Sequence, residues 1–173
     1  MSLLIAGFTI FVSIDLLRQK NPKLNQWALD VFRPIMRENE VHKLAGTTYL
    51  LTGVLILVLF FPRPIVGLSL LFLAFADPMA SYVGIKLGKD KIFGHKSLQG
   101  FLAAFVVCLF SSWIYLWSIG VESRLIVIGL LAGLIGAFAE LIPIGKLDDN
   151  LTLPILSAVS LKVLFYVFAI DFL

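Results

Sequence analysis

The chain has 173 residues, 60% of them hydrophobic and 14% charged, with a mean hydropathy of +0.99. Soluble domains carry about 45–50% apolar and about 25% charged residues, so this composition excludes disorder and a water-soluble enzyme and makes lipid the main solvent. A formal charge of +3 matters less than its placement, and Cys108, the single cysteine, excludes an internal disulfide or a cysteine metal cluster.

At about 20 residues per crossing, the length predicts about six spans in one all-α, polytopic integral membrane domain. Residues 3–17 read as a short first span holding Asp15. No basic residue precedes this apolar run and no clear cleavage site follows it, which argues against a signal peptide. Residues 24–36 place Leu24, Trp27, Ala28, Val31, Phe32 and Ile35 at helical spacing. That pattern predicts an amphipathic helix in the interface, with Asn21 and Pro22 as start signals and Pro34 as a bend or stop. Residues 44–61 and 98–119 are free of charge and long enough to cross a hydrocarbon core of about 30 Å. Three more spans each tolerate one charge: 65–85 with Asp77, 125–144 with Glu140, and 151–170 with Lys162. Such a charge is costly unless it faces a polar interior. The sequence holds no internal repeat or low-complexity segment.

Six spans divide the loops into two sets. Residues 18–43, 86–97 and 145–150 hold Arg18, Lys20, Lys23, Arg33, Arg37, Lys43, Lys86, Lys89, Lys91, Lys96 and Lys146; residues 62–64 and 120–124 hold only Arg63 and Arg124. The positive-inside rule makes the first set cytoplasmic and puts both termini outside. Trp27, Trp113 and Trp117 suit the interfacial belt.

Three segments can carry chemistry. In Ala76-Asp77-Pro78, Pro78 lacks an amide hydrogen and crowds the preceding turn, which predicts a broken or kinked helix beside the Asp77 carboxylate. Irregular backbone at membrane depth survives only in protein or beside a wet cavity, and the bland alternative is a structural Asp paired with a Lys. Residues 84–100 hold four glycines, four lysines (Lys86, Lys89, Lys91 and Lys96) and a helix start near Ser97. Glycines, helix N-terminal amides and lysines are what a polyphosphate site requires, although the Walker spacing is absent. A solvated basic loop against lipid headgroups explains the same residues. In residues 140–154, Glu140, Asp148, Asp149 and Asn150 offer hard oxygen ligands beside a lysine-rich loop, which suggests Mg²⁺. Capping of the last helix, with Pro154 helping to start it, needs only one of them. His42 and Lys43 open the second span from the basic side; a histidine there, like His95, is either an interface residue or a functional one. Together these groups fall near one end of the bundle, where a water-soluble nucleotide would meet a lipid acceptor.

Three stretches carry a family resemblance: His42-Lys43-Leu44 with Gly46; residues 77–100 read as D-x-x-A-x-x-x-G-x-x-x-G-K…K-S-x-x-G; and Glu140 with Leu147-Asp148-Asp149-Asn150-Leu151-Thr152-Leu153-Pro154. On these the chain resembles the CTP-dependent lipid-alcohol kinases, the group of dolichol kinase, phytol and farnesol kinase and CTP-using diacylglycerol kinase. The resemblance covers residues 40–160 or so and implies γ-phosphate transfer from CTP to the hydroxyl of a lipid alcohol, with Mg²⁺ or another divalent cation. By position it implies that Asp77, Lys89, Lys96, Ser97 and Gly100 bind the nucleotide phosphates and metal, with His42 and Lys43 on the nucleotide side. It implies that Glu140, Asp148, Asp149 and Asn150 complete the metal site or orient the acceptor hydroxyl, Asp149 being the carboxylate nearest it. Phosphoryl transfer depends mainly on positioning and charge neutralisation, which such a cradle supplies.

The chain departs from the family pattern at Ala76, where many members have Gly, and at Gln99, where they have Glu; the missing Glu removes a ligand. A more distant resemblance is to phosphatidate cytidylyltransferase, and a transporter relaying ions through Asp77, Glu140 and Lys162 is the non-enzymatic alternative. The implied partners are CTP, the lipid acceptor and membrane lipid, with no nucleic acid; the oligomeric state is open, a homodimer included.

Overall fold

The computed structural model describes residues 2–32, 43–145 and 147–170. The chain is an all-α polytopic membrane protein. Its helices are α1 (Ser2–Lys20), α2 (Pro22–Phe32), α3 (Gly46–Phe60), α4 (Arg63–Leu71), α5 (Asp77–Leu87), α6 (Leu98–Ser118), α7 (Leu125–Leu141) and α8 (Asp149–Val167). A π-helical turn, Phe72–Ala76, joins α4 to α5 into one continuous helix, Arg63–Leu87. That helix, α1, α6 and α8 are long and apolar enough to cross a membrane, and α3 and α7 are shorter apolar helices. Leu3, Ile114, Ile126 and Tyr166 stand exposed on their outer faces, as lipid solvent permits.

Local chemistry sets most helix ends. The amphipathic helix α2 begins at Pro22, and the Asn21 Oδ1 accepts from the amides of Lys23 and Leu24 at 3.0 and 3.4 Å. Its expected continuation over 33–36, Pro34 included, lies outside the described residues. The span expected over 125–144 stops at Leu141, because Pro143 drives Ile142 into extended backbone (φ −86°, ψ 110°). Of the break or kink expected at Pro78, the structure shows no break but a π turn immediately ahead of the proline. The Asp77 amide donates five residues back to the Phe72 carbonyl, so the helix widens by one residue just before the proline and carries on through it. Pro154 does not start α8 but lies inside it, in its second turn. Its missing amide leaves the Asn150 carbonyl without the usual helical donor. That oxygen lies 3.1 Å from where a Cβ on Gly53 would stand, so Gly53 is what lets α3 close on α8.

The core, with Phe72, Leu57, Leu68, Leu116, Leu153 and Leu161 at its centre, fills the space among α3, α4, α6, α7 and α8. α6 and α7 run antiparallel at close range: a Cβ on Gly133 would fall 2.8 Å from the Leu109 Cα. Between α5 and α6 lies a two-stranded hairpin, β1 (Lys91–Phe93) and β2 (Lys96–Ser97), turning at Gly94 with φ +55°. No regular structure was expected there. The Gln99 side chain clamps it, accepting from the Lys89 and Asp90 amides at 3.2 and 3.3 Å and donating to the Asp90 carboxylate at 2.7 Å.

The hairpin stands on a line of small residues. Ala80, Gly84 and Gly88 share a face of α5 and its C-terminal cap, against Ser97 and Gly100. A Cβ on Gly100 would lie 2.8 Å from the Ala80 carbonyl oxygen, closer than real Cβ atoms come. Gly88 and Gly100 therefore admit the close approach of α5 to the start of α6.

A second joint ties α1 to the bundle. Asp15, 3% exposed, accepts from Arg18 Nε at 2.6 Å, the Ala45 amide at 2.9 Å and Thr48 Oγ1 at 2.6 Å. Arg18, equally buried, also donates to Asn25 Oδ1 at 2.9 Å and the Lys43 carbonyl at 2.8 Å. One ion pair thus fastens α1, α2 and the start of α3.

Asp15→Ala leaves the Arg18 guanidinium buried without its carboxylate and should cost about 3–5 kcal/mol, read as a large fall in the thermal midpoint of the detergent-solubilised protein. Thr48→Ala removes one hydrogen bond to the carboxylate and should cost about 2 kcal/mol; equal effects would remove Asp15 from the centre of the joint. Gly100→Ala should destabilise by about 1–3 kcal/mol through overpacking against α5. Gly84→Ala, whose Cβ meets its nearest neighbour, Ser97 Oγ, at 3.4 Å, should be neutral or mildly stabilising in the same melts.

Candidate active site

The loops of the first set gather at one end of the bundle, as the bonds between them require. Asn150 Nδ2 reaches the Gly46 carbonyl at 3.4 Å, Arg18 reaches Lys43, and Lys96 reaches α7 and α8. Residues 119–124 and 168–170 meet at the opposite end.

At the basic end a cavity of about 210 Å³ opens between α5, the hairpin, α6, α7 and α8. Lys96 crosses it from β2. Its Nζ lies 3.0 Å from Glu140 Oε1 and 3.0 Å from Asp149 Oδ2, and it also donates to the Glu140 carbonyl. Lys96 and Glu140 are 9% and 4% exposed, whereas Asp149 is 37% exposed and faces the opening. Burial alone would favour the neutral amine, but the two carboxylates outweigh it and hold the Lys96 ammonium above its ordinary range.

The other wall is the α6 N-terminus. Ser97 is its N-cap, buried, with Oγ accepting from the Gly100 amide at 3.2 Å. The Leu98 amide donates to the Asp90 carbonyl at 2.8 Å. Two first-turn donors are thus engaged by the protein, and the N-terminal positive end of the helix dipole still faces the cavity. Ser97, Gly100, Lys96, Glu140 and Asp149 all line this space.

Other expected site residues lie elsewhere. Lys89 is exposed at the hairpin corner, with its amide on Gln99. Lys43 sits at the joint of α1 and α3. Asp148 is the N-cap of α8, its Oδ1 accepting from the Asn150 amide at 3.0 Å, so the capping alternative holds for this residue. Asn150 bridges to α3. His42 and Lys146 lie outside the described residues. Conversely, Lys91 and His95 line the cavity, the Lys91 ammonium donating to the His95 carbonyl at 3.1 Å. Their signal was strand pairing, which sets Lys91 opposite Ser97.

The four carboxylates expected to share a metal do not converge. Among the described residues no three His, Cys, Asp or Glu groups are placed to hold one. Mg²⁺ needs no such cage, because one or two carboxylates plus substrate phosphates hold it. Glu140 fits that demand: its buried Oε2 has no hydrogen-bond partner among the described residues, and Asp77 is near enough to repel it electrostatically. A buried carboxylate with one oxygen unsatisfied makes a setting a divalent cation would relieve.

No family model matches the chain, and no solved structure does. Among curated proteins it is 37% identical over 164 residues to CTP-dependent diacylglycerol kinase 1 of Schizosaccharomyces pombe, covering 88% of this chain and 75% of that protein. It is 31% identical to the Eremothecium gossypii protein of that name and 29% identical to that of Saccharomyces cerevisiae, covering 56% and 62% of their lengths. The chain belongs to the family of the CTP-dependent diacylglycerol kinases.

Proposed function

We propose that the chain, as one membrane-embedded catalytic domain, transfers the γ-phosphate of CTP to the hydroxyl of a lipid alcohol at the cytoplasmic face. Diacylglycerol is the favoured acceptor because the relatives are named for it. The cytoplasmic assignment rests on the crowding of basic loops at the cavity end. The observation that carries the reading is Lys96, a buried cation held between Glu140 and Asp149 at the mouth of a cavity closed by a helix N-terminus.

Each group then has a task. Lys96 binds the β- and γ-phosphate oxygens, exchanging a carboxylate for a phosphate as the nucleotide enters. The α6 N-terminus, with Lys91 beside it, adds positive potential on the same side. Glu140 and Asp77 would hold a divalent cation, which supplies charge neutralisation to the phosphates when bound. Asp149, the most exposed of the cluster, orients the acceptor hydroxyl and accepts its proton as the oxygen bonds to the γ-phosphorus and the bond to the β-phosphate oxygen breaks. CDP and the lipid phosphate monoester leave. Gln99 does not replace the Glu of other members as a ligand; it holds the hairpin that carries Lys96.

The purified protein should move label to lipid from γ-labelled and not from α-labelled CTP, across a panel of diacylglycerol, polyprenol, phytol and farnesol. Transfer of α label to phosphatidate would indicate a cytidylyltransferase, and no transfer to any acceptor would sink both enzymes. Lys96→Ala, Asp149→Asn and Asp77→Asn should each lower kcat on the order of 10²-fold while helix content by circular dichroism stays unchanged. Wild-type rates in Lys96→Ala and Asp77→Asn together would show that the site is misassigned.

A further inference from the structure

A second depression lies on the opposite side of α7 from the Lys96 cluster. It is a groove of about 300 Å³ between α7 and α8, with Leu131, Phe138 and Ile142 on one wall and Leu156, Ser160 and Leu164 on the other. Apart from the Ser160 hydroxyl its named walls are aliphatic and aromatic, so neither water nor a charged partner has reason to occupy it. From Leu131 to Ile142 it runs about 16 Å along the helix axis. A space of about 300 Å³ spread over that length is too slender for a second helix, about 10 Å across with its side chains, and suits a single alkyl chain.

The groove adjoins the catalytic cavity across one pair of rings. Phe138 on its wall and Phe101 on the cavity wall touch, their ring centroids 5.1 Å apart and tilted by 54°. Glu140 on the cavity side lies in sequence between Phe138 and the α7 C-cap Ile142, both on the groove side. A molecule with its hydroxyl beside Asp149 and its tail beyond the Phe101–Phe138 pair would bridge the two spaces around the end of α7.

We infer that this groove is the tail subsite of the acceptor, holding one alkyl chain of the lipid alcohol while its hydroxyl reaches Asp149. The inference rests on the kinase reading for the identity of the lipid. Its consequence is that acceptor preference is set by tail length and by the bulk of the groove residues, with the nucleotide site unaffected. Phe101 and Phe138 act as the divider that a tail must pass.

Two measurements test it on the full chain in nanodiscs. In the first, a diacylglycerol with a photoreactive diazirine on one acyl chain is cross-linked and the labelled peptides are mapped. Saturable label on residues 131–142 and 156–164, displaced by unlabelled diacylglycerol and not by excess phosphatidylcholine, supports the subsite. Label spread evenly over the outer faces, displaced equally by phosphatidylcholine, or found between two copies of the chain overturns it. In the second, Ser160→Phe and Leu156→Trp fill the groove. Each should raise KM for a long-chain diacylglycerol about tenfold, with little change in kcat or in KM for CTP and for a short-chain acceptor. Unchanged KM for the long-chain lipid in both variants overturns the inference and leaves the kinase reading standing. A wild-type protein without any γ-transfer would instead overturn the kinase reading, and cross-linking would then still decide the groove.

Discussion

The Lys96 ammonium, shared between Glu140 and Asp149, is the interaction on which the arrangement of the basic end depends. It joins β2 to the last turn of α7 and the first residue of α8, segments more than forty positions apart in the chain. The desolvation of a buried cation is offset only if opposite charges meet it closely, and removing one partner of such a set costs about 3–5 kcal/mol. Two carboxylates on one lysine leave a net negative charge, to which Asp77 adds. The cluster is therefore net negative, and the positive end of the α6 dipole faces it across the cavity.

Bringing those charges together is a packing problem solved by small residues. Ala80, Gly84, Gly88 and Gly100 allow α6 to start against α5, and that contact carries the hairpin and Lys96 to the mouth of the cavity. The π turn before Pro78 serves the same end. An ordinary helix would place the proline ring against the carbonyl four residues earlier; the extra residue relieves that contact and keeps Asp77 on a continuous helix. Pro78, on an exposed face, and Pro154, buried in the core, are thus both kept inside helices, one by a π turn and the other by the space at Gly53.

Charge is also sorted along the bundle axis. The Asp15–Arg18 pair and the Lys96 cluster, the two buried ionic groups described, sit at the same basic end, the first fastening α1 and α2, the second building the cavity. Towards the opposite end the contacts are mainly apolar, around Phe61, Val121, Phe168 and Ile170. Buried charge is confined to where water and loop backbone can reach it, which is the least expensive place for it in a membrane protein.

The sequence alone was enough for whatever a single segment decides within its own few turns. Hydropathy located the apolar helices, Asn21 and Ser97 marked their starts through side-chain caps, and the grouping of Asp77, residues 84–100, Glu140 and Asp149 pointed to one end of the chain's loops. Only the tertiary structure decided which of these groups meet. It set Lys96 between Glu140 and Asp149, made Asp148 an N-cap, placed Lys89 at an exposed corner, and put Gly88 and Gly100 in close contacts between α5 and the start of α6. The physical reason is range. Capping and hydropathy act over one turn of helix, whereas an ion pair between residues 96 and 140 exists only after α6 and α7 have packed, and no local pattern in either segment records its partner.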